Sequence, residues 1–107
     1  LQVRMWDIEE DCYDCNGKFY LKPSDDELIK IINFIDRHDD KTLFIVHCSA
    51  GVSRSGAVVT YIKDKFIDKM STLDRERFLR DNRNIQPNLY ILNRLKVLDG
   101  TLINQYE

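Results

Sequence analysis

The apolar run Leu43-Phe44-Ile45-Val46 leads directly into His47-Cys48-Ser49-Ala50-Gly51-Val52-Ser53-Arg54-Ser55-Gly56, after which Val58, Ile62, Phe66 and Met70 recur every four residues. Four apolar residues with nothing polar alternating among them read as a strand buried on both faces. The four-residue spacing reads as a helix that starts near Ser53 to Ser55. A strand, a loop of small residues and a helix, in that order, constrain the fold more than any other feature. A strand buried on both sides needs helices to cover it, so the expected class is α/β, with helices flanking a mainly parallel sheet.

The rest of the chain supplies those helices. Ser24-Asp25-Asp26-Glu27 is a capping box directly after Pro23, and Leu28, Ile31, Ile32 and Ile35 follow at helical spacing, predicting a helix from about Asp25 to Arg37. Ser71 and Asp74 mark another helix start ahead of Phe78 and Leu79. Pro87-Asn88 opens a last helix that carries Leu92, Leu95 and Leu98, with Gly100 as its C-cap. Val3-Arg4-Met5-Trp6-Asp7-Ile8 alternates as a short strand, and Glu9 to Lys22 reads as a loop. Two strands make too small a sheet to stand alone, so either weaker strands lie elsewhere in the chain or the first strands of the domain lie ahead of Leu1. With 107 residues, the chain is expected to form one domain over 1–107.

The loop has a chemical reading. Backbone N–H groups at a strand-to-helix turn converge where the positive end of the helix dipole lies, which suits a tetrahedral dianion. Ser49, Ala50, Gly51, Val52 and Ser53 are small enough for the backbone to curl round such an anion, and Arg54 can close the ring with a planar, two-pronged guanidinium. The same field acts on Cys48. A free cysteine titrates near ~8.5, and a helix N-terminus beside an arginine lowers that by several units, leaving a nucleophilic thiolate. Ser55 is placed to donate a hydrogen bond to the sulfur, and His47 to orient the loop. A thiolate that attacks a phosphate ester needs a carboxylic acid to protonate the leaving oxygen. Asp7, at the end of the V-x-M-x-D pattern, Asp11 and Asp14 are the candidates ahead of Cys48. No metal or other cofactor is called for, because Arg54 and the backbone supply the positive charge.

Composition narrows the class. Sixteen Lys and Arg against eighteen Asp and Glu give a formal charge of −2 with no long basic block, which argues against nucleic acid as a partner. No apolar stretch is long enough to cross a bilayer, so no membrane partner is expected. Three cysteines, Cys12, Cys15 and Cys48, are odd in number and sparse, which favours a reducing, cytoplasmic setting over a disulfide-stapled secreted one. Cys12 and Cys15 are spaced C-x-x-C but have no second close pair to complete a zinc site, so they read as two unrelated thiols in a polar loop.

The segment HCSAGVSRSG resembles the H-C-x-x-G-x-S-R-S loop of the cysteine-dependent dual-specificity phosphatases, a branch of the protein tyrosine phosphatase superfamily. Val3 to Asp7 resembles the strand leading to that family's general acid, and Arg83-Asn84-Ile85-Gln86-Pro87-Asn88 is similar to the turn that opens its last helix, with Asn84 where the family often has proline. The resemblance runs from about Val3 to Leu98. It implies a phosphatase-like fold lacking its N-terminal strands, Asp7 as acid, Asn88 as a second loop-orienting residue, and an insertion over Asp11 to Tyr20. It also implies hydrolysis of phosphotyrosine and phosphoserine or phosphothreonine in a protein substrate through a phosphocysteine, since Ala50 and Val52 stand where inositol-phosphate relatives tend to carry lysine. The competing expectations are a phosphate-binding module without turnover, an RNA 5′-phosphatase of the same superfamily, and a rhodanese-like sulfur transferase.

Overall fold

The computed structural model describes residues 1–5, 7–38, 44–48 and 52–100. Over these residues the protein is a small domain of four helices and a two-stranded antiparallel sheet. The helices are α1 (Asp25–Asp36), α2 (Arg54–Lys65), α3 (Thr72–Asp81) and α4 (Leu89–Asp99), with a single 3₁₀ turn at Ile67–Lys69 between α2 and α3.

Each helix start follows from local chemistry. Ser24 Oγ accepts from the Glu27 N–H at 3.3 Å, Ser71 Oγ from Asp74 N–H at 3.1 Å, and Asn88 Oδ1 from Ile91 N–H at 3.0 Å, each satisfying a donor that the first helical turn leaves orphaned. α4 ends on Gly100, whose φ of 76° lets its N–H turn back to the carbonyls of Lys96 and Val97. The α2 periodicity expected to run on to Met70 breaks at Phe66. There the ring stacks on Phe44 with centroids 6.4 Å apart, and the chain continues as the tighter 3₁₀ turn at Ile67–Lys69.

The core lies among three of the helices. Leu28, Ile31, Ile32 and Ile35 from α1, Ala57 and Tyr61 from α2, and Ile91, Leu92 and Leu95 from α4 are all buried together. Burying each large side chain contributes roughly 1.5–3 kcal/mol, and Leu95→Ala at the centre would cost about 2–5 kcal/mol. Ion pairs fasten the same helices at their rims. Arg94 holds Asp25 through two bonds of 2.8 and 2.7 Å, and Lys65 bridges Asp36 and Asp99 at 2.9 Å each. Beneath Lys65 the buried Tyr61 hydroxyl faces Asp99 outside hydrogen-bonding geometry, and burial first, then that neighbouring carboxylate, pushes its ionisation far up.

The sheet differs from the expectation. A mainly parallel sheet is not shown among the described residues. Phe44 to Val46 and the described part of Val3 to Ile8 form no ladder, and Leu43 and Trp6 lie outside the described residues. Ile45, expected to be buried, is 84% exposed, because an apolar run becomes a covered strand only where neighbours offer both backbone partners and flanking layers. The observed strands lie instead in the segment read as a loop: β1 (Cys12–Tyr13) pairs antiparallel with β2 (Phe19–Tyr20), Cys12 opposite Tyr20. Asp14 makes this hairpin. Its carboxylate accepts from the N–H groups of Lys18 and Asn16 at 2.9 Å and from the Tyr20 hydroxyl at 3.1 Å. Those donors, Lys18 foremost, hold its pKa below the usual carboxylate value. Cys12 is half-buried and Cys15 exposed on the hairpin, both as free thiols. Among the described residues no group of three or more His, Cys, Asp or Glu is placed to hold a metal. No helix among them is long and apolar enough to cross a membrane.

Candidate active site

α2 begins without the cap its sequence offers. Ser53 occupies the N-cap position, but its φ of −98° and ψ of −62° are helical and its side chain caps nothing in α2. The hydroxyl instead donates to Asp7 Oδ1 at 2.8 Å. No acidic residue stands in the first turn of α2, so the positive end of that helix is left unneutralised by its own side chains. Cys48 Sγ lies 3.4 Å from Ser55 Oγ, within hydrogen-bonding distance for sulfur, and Ser55 is only 5% exposed. As a thiol Cys48 donates to that oxygen; as a thiolate it would accept from it.

Arg54 spans from α2 to the N-terminal segment. Nη1 donates to the Met5 carbonyl at 2.9 Å, while Nε is buried with no acceptor among the described residues. An orphaned guanidinium N–H away from water is costly, and an oxyanion seated beside it would satisfy it. Cys48, Arg54, Ser55 and His47 line a cleft of about 780 Å³ together with the apolar side chains of Ile31, Phe34, Val58 and Ile62. His47 has no side-chain hydrogen bond among the described residues. Ser49, Ala50 and Gly51, expected to form the cradle with Val52 and Ser53, lie outside the described residues.

The turn before α4 ties these pieces together. Gln86 N–H donates to the Val52 carbonyl at 3.1 Å and Asn88 N–H to the Ser53 carbonyl at 3.0 Å. This approach is possible because residue 56 is glycine: a Cβ there would lie 3.1 Å from Ile85 Cβ and 3.6 Å from the Pro87 backbone. The Asn88 side-chain N–H₂ donates to Asp7 Oδ1 at 2.9 Å and to the Ile8 carbonyl at 3.2 Å, and Glu9 Oε1 accepts from Leu89 N–H at 3.3 Å. The acid-bearing segment is therefore sewn to the start of α4 and, through Ser53, to the end of the loop.

The three acid candidates are thereby separated. Asp7 touches the loop. Asp11 Oδ1 accepts from Lys22 N–H at 2.8 Å and Asp14 closes the hairpin, so both are engaged within the Asp11–Lys22 segment. Asp7 opens onto a separate depression of about 440 Å³ shared with Glu9, Glu10, Cys12, Ser53 and Asn88. Sequence reasoning missed three participants: the Met5 carbonyl, which no side-chain pattern marks; Glu9, whose partner is 80 residues away; and Gly56. Only Gly56 left a signal, as a glycine inside an otherwise helical periodicity.

No protein-family model matches the chain, and no solved structure matches it. Among curated proteins the chain is similar to dual specificity protein phosphatase 8 of Homo sapiens, with 36% identity over 99 aligned residues that cover 82% of this chain. It spans 16% of the length of that relative. The likeness suggests the dual-specificity phosphatase family. The four helices and the hairpin are compatible with part of a phosphatase-like fold.

Proposed function

We propose that this chain hydrolyses phosphate monoesters on proteins, phosphotyrosine as well as phosphoserine and phosphothreonine, through a phosphocysteine on Cys48. The observation that carries this reading is the meeting of Cys48 Sγ with Ser55 Oγ at 3.4 Å on an uncapped helix start, beside an arginine whose Nε lacks an acceptor among the described residues. A thiol in that field is favoured as thiolate, and the same field is suited to the phosphoryl oxygens.

In the first step the Cys48 thiolate attacks phosphorus in line with the ester oxygen. The S–P bond forms as the P–O bond breaks, and the leaving oxygen takes a proton from the Asp7 carboxyl. In the second step water attacks the phosphocysteine, the resulting Asp7 carboxylate accepts the water proton, and sulfur departs as thiolate with the Ser55 hydroxyl donating to it. Arg54 and the loop N–H groups balance the charge on the equatorial oxygens in both steps, so the reaction needs no metal. A reducing cytoplasm would keep the thiol available.

The test is release of phosphate from p-nitrophenyl phosphate and from a phosphotyrosine peptide in the presence of a chelator. Turnover by the wild type and its loss in Cys48→Ser are expected; turnover retained in Cys48→Ser rules the mechanism out. A second reading, a phosphate-binding module without turnover, is favoured by one observation: Asp7 and Cys48 open onto separate depressions. Tight binding of a phosphopeptide to the wild type with no phosphate released would establish it instead.

A further inference from the structure

We infer that the free edge of the β1–β2 hairpin docks the phosphoprotein, taking an extended segment in which basic and apolar residues alternate beside the phosphorylated residue. The inference rests on the phosphoprotein reading above and names the sequence class that the site would prefer. The hairpin takes no part in the chemistry of Cys48, yet it presents two different faces. Tyr13 and Phe19 stand opposite each other with ring centroids 4.8 Å apart, and they remain 71% and 46% exposed. Leu21, two residues beyond Phe19, is 61% exposed. Successive side chains of a strand point to opposite faces, so Cys12 lies on the other side, half-buried, where it lines the depression that Asp7 opens onto.

The backbone of β1 offers an edge to pair with. Asp14 N–H donates to the Lys18 carbonyl at 2.9 Å. Bonded and non-bonded pairs alternate along an antiparallel ladder, so Tyr13, opposite Phe19, turns its N–H and carbonyl away from β2. Neither group has a backbone partner outside the hairpin among the described residues. Such an edge is a template for an added strand.

Charge and period then select the strand. The depression on the Cys12 side carries Asp7, Glu9 and Glu10 and no cationic side chain. A segment paired with Tyr13 sets alternate side chains against the Tyr13 and Phe19 rings and the others toward those carboxylates. Leucine-like residues fit the first series, and lysine or arginine the second; glutamate in the second would be repelled. Ser53, at the end of the nucleophile loop, borders the same depression, so the docked segment and the phosphorylated residue belong to one stretch of peptide.

The experiment measures kcat/KM for three phosphotyrosine peptides: one flanked by alternating lysine and leucine, one with glutamate in place of lysine, and one with glycine in place of leucine. p-Nitrophenyl phosphate, which has no flank, reads the nucleophile site by itself. All four substrates are given to the wild type, Tyr13→Ala, Phe19→Ala and Glu10→Lys. The wild type is expected to prefer the lysine–leucine peptide to either of the others by about tenfold. Tyr13→Ala and Phe19→Ala should erase the preference for leucine over glycine, and Glu10→Lys should weaken that for lysine over glutamate about threefold or more. Turnover of p-nitrophenyl phosphate should stay within about twofold throughout.

Equal kcat/KM for the three peptides in the wild type, or a preference that persists in all three variants, overturns the docking edge while leaving the phosphatase reading intact. Variants that slow p-nitrophenyl phosphate as much as the peptides overturn it in the same way. A folded wild type that releases phosphate from none of the four substrates overturns that reading, and this inference with it. The peptide series in the wild type carries the comparison where a hairpin variant does not fold.

Discussion

α1 and α2 are both 12 residues long, and both are preceded by a serine, yet they begin in opposite ways. At α1, Ser24 is extended, with φ −80° and ψ 152°, and caps Glu27; Asp25, Asp26 and Glu27 fill the first turn, and Asp25 is further tied to Arg94. Every element there neutralises the helix dipole, and the result is a fastening. At α2, Ser53 turns its hydroxyl to Asp7 and the first turn carries Arg54 and no acid, so no side chain of that turn offsets the helix dipole. A helix start built for stability satisfies its own donors, whereas one suited to anion chemistry keeps them available.

The comparison can be broken most severely at Arg54. Arg54→Lys keeps the charge but not the planar fork, and kcat/KM for an aryl phosphate is expected to fall about 100-fold or more; a loss under threefold in a steady-state assay would mean that α2 owes its character to the dipole alone. Gly56→Ala comes next. In an ordinary helix that exchange stabilises by about 1 kcal/mol, but here the new methyl meets Ile85 at 3.1 Å. Stability in urea is expected to drop by about 1–2 kcal/mol instead, and a rise would show that the turn before α4 yields freely.

Exchanging the serines sharpens the contrast further. Ser24→Ala should cost about 1 kcal/mol of stability in urea and leave turnover alone, as expected of a lost cap. Ser53→Ala should cost less stability and act on turnover of phenyl phosphate. The reverse pattern would equate the two helix starts. The smallest effect is electrostatic. Hydrogen bonding to Arg94 holds the Asp25 pKa below its usual value, so the pair contributes stability above the unfolded carboxylate pKa near ~3.9, lost as pH falls through the lower folded value. Both side chains are over a third exposed, which limits the contribution to about 1 kcal/mol or less. Asp25→Asn should lower stability at pH 7 by that amount and by nothing near pH 2, as followed by thermal melting at both values.

The four helices were legible in the sequence because their signals are local. Ser24, Ser71 and Asn88 each cap a donor three residues on, and the apolar positions of α1 and α4 recur at helical spacing. Beyond that range legibility failed in specific ways. The hairpin at Cys12 to Tyr20 went unread although Asn16-Gly17, a familiar hairpin dipeptide, stands in its turn with Gly17 at φ 82°, because its strands are only two residues each and the turn is closed by Asp14 gathering donors from three residues. The apolar run at Leu43 to Val46 predicted a buried strand, but burial is supplied by neighbours, and Ile45 is exposed in their absence among the described residues.

The sequence by itself determined where the helices start, where α4 stops and which residue types surround Cys48, since capping, periodicity and small-residue loops act within a few positions of each other. Only the tertiary structure decided that Ser53 abandons its cap for Asp7, 46 residues away, that Asn88 reaches the same carboxylate across 81 residues, and that Arg54 bonds the Met5 carbonyl. The reason is physical. A serine or asparagine satisfies whichever partner folding brings within about 3 Å, and which of several partners arrives is fixed by how α2 and α4 pack, not by the residues beside them in the chain.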